Sequence, residues 1–419
     1  MIVKESQGPS KWTWQTFLQQ PIAIVIGVSL IFGLLFVNEA NFRQTTAMEA
    51  GADWQALMKL GISGACGAYG LWFLNFSRLK ELSVPATGMA LFCVWAYVCA
   101  MKSVNVVYSL TCCTTMMSVF VFTDAITQKM GRQRIILVSL TVLVLFLVGC
   151  WCANVVAPGL NSFDPLVDAI ADSRRFAGLL HPNGTAGLAA MSIGLALVAA
   201  NAGYLSWKQA TPLMLFAFVT LFLTGSRTWM FAAILVSGYA ALKHLNALNR
   251  VMAISAGVVV IALASFYLSE AWSSSKADKA LASVSRSGKS EEIYTLTGRA
   301  DLWAFCIKKI ESSPVFGYGY GCQRFIIADE HYWPTRHAHN VLLNATLGTG
   351  LVGGGILAVV LVYQIFRLFT DRNDFPDTIL LLILVGGFSE NPIFNPLPGA
   401  LTFLFFASLH WRDEFRIGA

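Results

Sequence analysis

The sequence predicts an all-α integral membrane protein, with about 12 transmembrane helices and one long, partly helical external loop. Three observations carry that prediction. The 419 residues are 56% hydrophobic and only 12% charged, where a soluble domain carries about 25% charged residues. Mean hydropathy is +0.62, and the apolar residues are gathered into runs near the length that crosses a bilayer as a helix. Those runs do not alternate apolar with polar residues, as a transmembrane barrel would. Helices are what remains, because lipid offers no partner to an open backbone.

In order along the chain the predicted spans are 21–37, 56–75, 84–101, 107–126, 135–157, 184–203, 210–224, 228–242, 251–269, 340–366, 377–389 and 399–410. The first follows a polar stretch and has no small-residue cleavage site after it, so it reads as a retained span rather than a signal peptide. The resulting organisation is residues 1–269 as nine spans with a short external loop at about 158–182, a long external loop at 270–339, and three further spans within 340–419.

Basic residues orient the bundle. One set of short connections holds fourteen Lys and Arg, among them Lys129, Arg132, Arg134, Lys208 and Arg367. The other holds six: Arg43, Lys59, Lys102, Arg174, Arg175 and Arg227. Cytoplasmic loops carry the excess, so both termini are expected in the cytoplasm. The long loop translocates whatever its charge and does not bear on orientation. Most of the unusual polar residues then fall on the external face, away from ATP and nucleotide sugars.

Arg227 stands between two apolar runs in LFLTGSRTWMFAAIL, at the depth of the membrane interface. An arginine there is costly unless paired, hydrated or used; the bland alternative is a snorkelling anchor beside Trp229. Arg299 opens a helical pattern in TGRADLWAFCIKKI, with Trp303, Phe305, Cys306 and Ile310 as its apolar contacts. Helix-end N–H groups beside it would favour an oxyanion. The glycines of GYGYG (Gly317, Gly319, Gly321) end that helix in a tight turn, a weak phosphate signal because no Lys-Ser/Thr follows. Asp164, Asp168 and Asp172 share a helical face and read most simply as answering Arg174 and Arg175.

The stretch HYWPTRHAHNVLLNATLGTG places His331, Arg336, His337 and His339 before an apolar run. His337 and His339 are two apart, poor spacing for two helix-borne metal ligands, and no carboxylate set adjoins them; no metal site is expected. A neutral imidazole titrating near neutrality is instead a general base. His339 is the candidate, at the head of a helix that Asn340 would cap. His337, Arg336 and Asn340 would support it. Cys306 and Cys322 lie in the long polar segment and would be free to pair in an oxidising compartment. No CxxC or Cys/His metal spacing occurs. Arginine forks hold phosphate bidentately, so these groups together suit displacement of a phosphate or pyrophosphate, with lipid-linked sugars as the natural external donors.

The order RRFAG, HPN, GSRTW, TGRADLW, GYGYG, HAHNVLL and LGTGLVGG, over roughly residues 170–355, resembles the O-antigen ligase family. Its wider group includes O-antigen polymerases and protein O-oligosaccharyltransferases. The resemblance implies a metal-independent, inverting glycosyltransferase without cofactor in the Gram-negative inner membrane, with its active site in the periplasm. Such an enzyme moves O-antigen polysaccharide from undecaprenyl pyrophosphate to lipid A–core during lipopolysaccharide biosynthesis. Nucleic acid has no part in it. On this resemblance His339 is the base, Arg227 and Arg299 hold the pyrophosphate, and Arg174 or Arg175 assists. A transporter is the reading from another class, and it would put charges at the bilayer midplane, where these spans carry few.

Overall fold

The computed structural model describes residues 22–41, 53–74, 82–156, 175–243, 299–332, 335–370 and 374–411. Every regular element among them is helical. The expected span 251–269, the first half of the long loop, the aspartates of the short loop and Arg174 lie outside the described residues.

The helices are α1 (Ile22–Phe32, prolonged by one wider turn to Val37), α2 (Trp54–Trp72), α3 (Val84–Ala100), α4 (Val106–Val156), α5 (Pro182–Asn201), α6 (Trp207–Thr224), α7 (Arg227–Lys243), α8 (Arg299–Ser312), α9 (Gln323–Glu330), α10 (Val341–Thr370), α11 (Asp374–Ser389) and α12 (Ala400–Leu409). By length and composition α4, α5 and α10 are able to cross a membrane, and α1 with its added turn, α3 and α12 are shorter apolar helices. α4 joins two of the expected spans through a break at Gly131 (φ 71°, ψ 168°), where glycine accepts a left-handed backbone that other residues resist.

α5 is the axis of the bundle. Most of its residues are buried, including Gly187, Gly194 and six alanines, and it packs against α4, α6, α7 and α11. Small residues allow that approach in lipid, where helices associate through packing rather than water exclusion. Trp229 shows the fit. It is 2% exposed, and a Cβ on Gly386 would stand 2.3 Å from its ring and one on Gly187 3.0 Å away. Trp229 is therefore a core residue that locks α7 between α5 and α11 beside Arg227.

The sequence read 340–366 as one span, but α10 bends at Gly350 (φ 68°, ψ −177°). The bend has two causes. Leu351 N–H leaves the helical ladder and donates to Pro314 O at 2.6 Å, and a Cβ on Gly350 would lie 2.1 Å from Val315 O. Trp95 of α3 fixes the same point by donating to Thr349 O at 2.8 Å. The half-helix 341–349 is thus held against the segment that follows α8, apart from the longer half beyond it.

The connection between α11 and α12, residues 390–399, is held from several sides. Asn38 donates to Pro398 O (2.8 Å), Thr115 to Pro396 O (3.1 Å), Thr402 to Ile393 O (2.6 Å) and Asn391 to Phe394 O (2.8 Å). Glu39 accepts from Ala400 N–H at 2.6 Å, at the start of α12, where the helix dipole favours a carboxylate. This anchored connection begins with Glu390.

Candidate functional site

The site is assembled at one end of the bundle from the starts of α5, α7, α8 and α10 and the end of α11. His339 sits immediately before α10. Asn340 caps that helix as expected, accepting from Leu343 N–H at 2.9 Å, and donates to Phe388 O at 3.2 Å. Ala338 is clamped from both sides: Trp303 of α8 donates to its carbonyl (3.0 Å), and its N–H donates to Asn344 (3.2 Å). These bonds leave His339 in the left-handed region at φ 48°, the lone non-glycine residue there among the described residues. For a residue with a Cβ that conformation costs about 1–2 kcal/mol and is retained where the surroundings over-determine it.

The centre of the site is Glu390, which the sequence reading passed over. Its Oε2 lies 3.1 Å from His339 Nδ1. Its Oε1 accepts from Arg299 Nη2 at 3.0 Å and from Asn183 Nδ2 at 2.7 Å. Asn183 in turn accepts from Arg175 Nη2 at 2.7 Å, and Arg175 Nε donates to Thr224 O, also at 2.7 Å. Arg175, Asn183, Glu390, Arg299 and His339 therefore form one connected network. The side chains of His339, Glu390 and Arg299 are 14%, 14% and 18% exposed, shielded enough for their charges to interact strongly and open enough to meet a ligand. Arg299 Nε is buried without a partner among the described residues, a donor still to be satisfied.

Electrostatics follow from the packing. Burial pushes the Glu390 carboxyl up, but the His339 imidazole, its hydrogen bond and the Arg299 guanidinium outweigh burial, and the net effect is well downward. Glu390 is therefore a carboxylate at neutral pH, and a carboxylate only accepts. In the neutral ring the proton of His339 accordingly sits on Nδ1, which makes Nε2 the acceptor nitrogen. Burial, then the neighbouring His339, pull His337 down to about 3. Neutral His337 accepts from His339 N–H through Nδ1 at 3.3 Å, with the two rings 4.1 Å apart. Its role here is to hold the strained turn.

Arg227 begins α7 and is exposed. It reaches the same end of the bundle through Thr228, which accepts from Ser389 at 2.8 Å, next to Glu390. Arg336 is half-buried on the segment bearing both central histidines. His331 is elsewhere, its ring tilted against those of Phe305 and Tyr332. The donor atoms of His337, His339 and Glu390 lie within 4.8 Å of one another, a two-imidazole, one-carboxylate set of the kind divalent metals use. Reading the histidines without Glu390 left this grouping unforeseen. Arg299, already on the same carboxylate, opposes a second cation there.

The glycine run is not a phosphate cradle. Gly317, Gly319 and Gly321 all have positive φ, and Tyr318 and Gly319 N–H groups donate to Leu347 O and Gly348 O at 3.0 and 2.9 Å. A Cβ on Gly319 would stand 2.1 Å from Ser103 Cβ, and one on Gly321 2.6 Å from Cys112 Sγ. The run is a packing turn that seats the loop on the α3–α4 corner and on α10. Cys306 and Cys322 are separate free thiols: Cys306 belongs to a small core with Leu302 and Ile310, and Cys322 donates to Asn105 O at 3.4 Å.

One of these residues was within reach of sequence reasoning and one was not. Glu390 directly follows an apolar run, so the argument that singled out Arg227 as an ionisable group at interface depth applies to it as well. Asn183 stood in the HPN motif without a role, and nothing local indicates the network it joins.

Fold and site together define a polytopic α-helical membrane protein with an arginine-rich site built around a carboxylate–histidine pair. Residues 212–358 match the profile of the family described as O-antigen ligase. It is also similar to the exopolysaccharide production protein ExoQ of Rhizobium meliloti (strain 1021), with 34% identity over 133 residues. That alignment covers 27% of this chain and 30% of the relative, so the chain matches under a third of ExoQ.

Proposed function

We propose that this protein is an O-antigen ligase, an inverting glycosyltransferase that moves O-antigen polysaccharide from undecaprenyl pyrophosphate to lipid A–core. The reaction takes place on the periplasmic face of the Gram-negative inner membrane, reached from a bundle of about 12 spans with cytoplasmic termini. The observation that carries the reading is the Glu390–His339 pair, bonded to Arg299 and joined through Asn183 to Arg175. Glu390 holds the imidazole in the tautomer whose Nε2 accepts a proton. That nitrogen deprotonates the acceptor sugar hydroxyl, whose oxygen attacks the anomeric carbon as the pyrophosphate departs. The arginines orient the pyrophosphate and balance its growing charge, and the unsatisfied Arg299 Nε is a donor suited to it. Arg174 would join them from outside the described residues. The chemistry asked of the chain is base and anion stabilisation, which these side chains supply without metal or cofactor.

The test is complementation of a ligase-deficient strain that still makes lipid-linked O-antigen. Wild type restores a ladder on lipid A–core, whereas His339→Ala, Arg299→Ala and Arg227→Ala at matched membrane levels do not. Variants that all perform like wild type would overturn the mechanism. A second reading is a polymerase, with the same donor and a second lipid-linked glycan as acceptor; the similarity to a protein named for exopolysaccharide production favours it. It takes over if wild type lengthens glycan on the carrier and adds none to lipid A–core.

A further inference from the structure

The base of the site already touches a hydroxyl of its own chain. Thr335 lies between α9 and α10, half-buried, and its Oγ1 stands 3.0 Å from His339 Nε2. A second acceptor, His337 O, is 3.4 Å from the same hydroxyl, too long to compete well for its hydrogen. Because Glu390 requires the proton of the neutral ring on Nδ1, Nε2 is the acceptor and Thr335 the donor. The sequence Glu390 carboxylate, His339 imidazole, Thr335 hydroxyl is the arrangement that activates a hydroxyl as a nucleophile. Other hydroxyls close to the site are engaged elsewhere: Ser389 with Thr228, and Tyr332 with Asp301.

A sugar hydroxyl is also what the reaction proposed above delivers to Nε2. We infer that Thr335 is an internal acceptor, a site of self-glycosylation that competes with the external acceptor for the same donor. The inference rests on the proposed transferase activity. In the step, the Thr335 O–H proton passes to His339 Nε2 and Oγ1 attacks the anomeric carbon of the lipid-linked glycan. The bond from that carbon to the pyrophosphate oxygen breaks, and the lipid pyrophosphate leaves with the electron pair. The product is an O-glycosylthreonine inverted at the anomeric carbon, and nothing is oxidised or reduced. It lacks a pyrophosphate leaving group, so the site does not reverse it, and the modified chain has lost access to its own base. An acceptor bound at Nε2 displaces Thr335 and protects the protein. Self-glycosylation therefore occurs when donor accumulates without acceptor.

The experiment uses the full chain in lipid nanodiscs with an undecaprenyl-pyrophosphate-linked oligosaccharide, with and without lipid A–core. Trypsin releases residues 325–336, in which Thr335 and Tyr332 are the hydroxyl-bearing side chains, and fragmentation by electron transfer distinguishes them. Without acceptor, that peptide should gain the mass of one glycan, placed on Thr335. The gain should be lost in Thr335→Val and His339→Ala, kept in Thr335→Ser, and reduced at least about tenfold by lipid A–core, a factor worth about 1.4 kcal/mol in occupancy. Wild type that glycosylates lipid A–core and leaves the peptide unmodified overturns this inference alone. Wild type that modifies neither overturns the transferase reading, and this inference with it.

Discussion

Glu390→Gln is the substitution on which the proposed chemistry stands or falls. Glutamine matches glutamate in size and keeps an oxygen for Asn183 and Arg299, now 2.7 and 3.0 Å from Oε1. In place of Oε2 it puts an NH2 group 3.1 Å from His339 Nδ1. A donor there forces the lone pair onto Nδ1 and the proton onto Nε2, the wrong arrangement for a base. Positioned general bases contribute roughly 10²–10⁴ in rate, or about 2.7–5.5 kcal/mol of barrier at about 1.36 kcal/mol per decade. The transfer rate should fall within that range. Stability should fall less, because breaking a buried ion pair costs roughly 3–5 kcal/mol when the remaining charge is sealed in, and Arg299 is 18% exposed and able to recruit water. The assay is the initial rate of transfer from lipid-linked donor to lipid A–core in nanodiscs, beside thermal unfolding of the same preparations. Glu390→Asp should recover part of the rate. Activity of Glu390→Gln within about threefold of wild type, against the expected 10²–10⁴, would show that the carboxylate does not set the tautomer.

Other outcomes follow from the same geometry. Arg299→Lys keeps the charge and loses the planar fork, so the donor KM should rise and transfer fall roughly tenfold or more, one decade of barrier, measured by donor titration. Asn183→Ala should cut the link from Arg175 to Glu390 and raise the donor KM more than it lowers kcat, with the Tm near wild type. His337 is held at about 3 when folded, against an ordinary value of 6.5. Between those values the unfolded chain binds a proton that the folded chain refuses, so stability is complete above about pH 6.5 and is lost as pH falls. At pH 5 the loss reaches up to about 2 kcal/mol; His337→Gln should flatten the decline of Tm from pH 7 to 5, and an unchanged slope would contradict the assignment. Gly319→Ala should lower Tm and membrane accumulation, since its Cβ would meet Ser103 at 2.1 Å with φ +94°, combining left-handed strain with overpacking worth roughly 2–4 kcal/mol.

The helical membrane character was legible because lipid leaves a long apolar segment one way to satisfy its backbone, and composition records that constraint directly. His339 and its cap Asn340 were legible for a local reason: a histidine at the head of an apolar run has its geometry fixed within a few residues. Arg227 was singled out by the cost of charge at interface depth, and Arg299 by its place at the start of a helix, where N–H groups favour an oxyanion. Glu390 was missed although the same cost applied to it, because its partners are 51, 91 and 207 residues away.

The break at Gly350 and the packing role of Gly317, Gly319 and Gly321 were equally hidden. A glycine's positive φ and missing Cβ mean nothing until the opposing backbone is in place. What this sequence determined by itself was the class of protein and the kinds of side chain at its chemistry, since both follow from one-dimensional costs of burying apolar and charged groups. Only the tertiary structure decided which of them meet: Glu390 holds one proton on His339 Nδ1 and turns Nε2 toward a hydroxyl. Tautomer and reach are properties of distances between segments, and sequence order does not contain those distances.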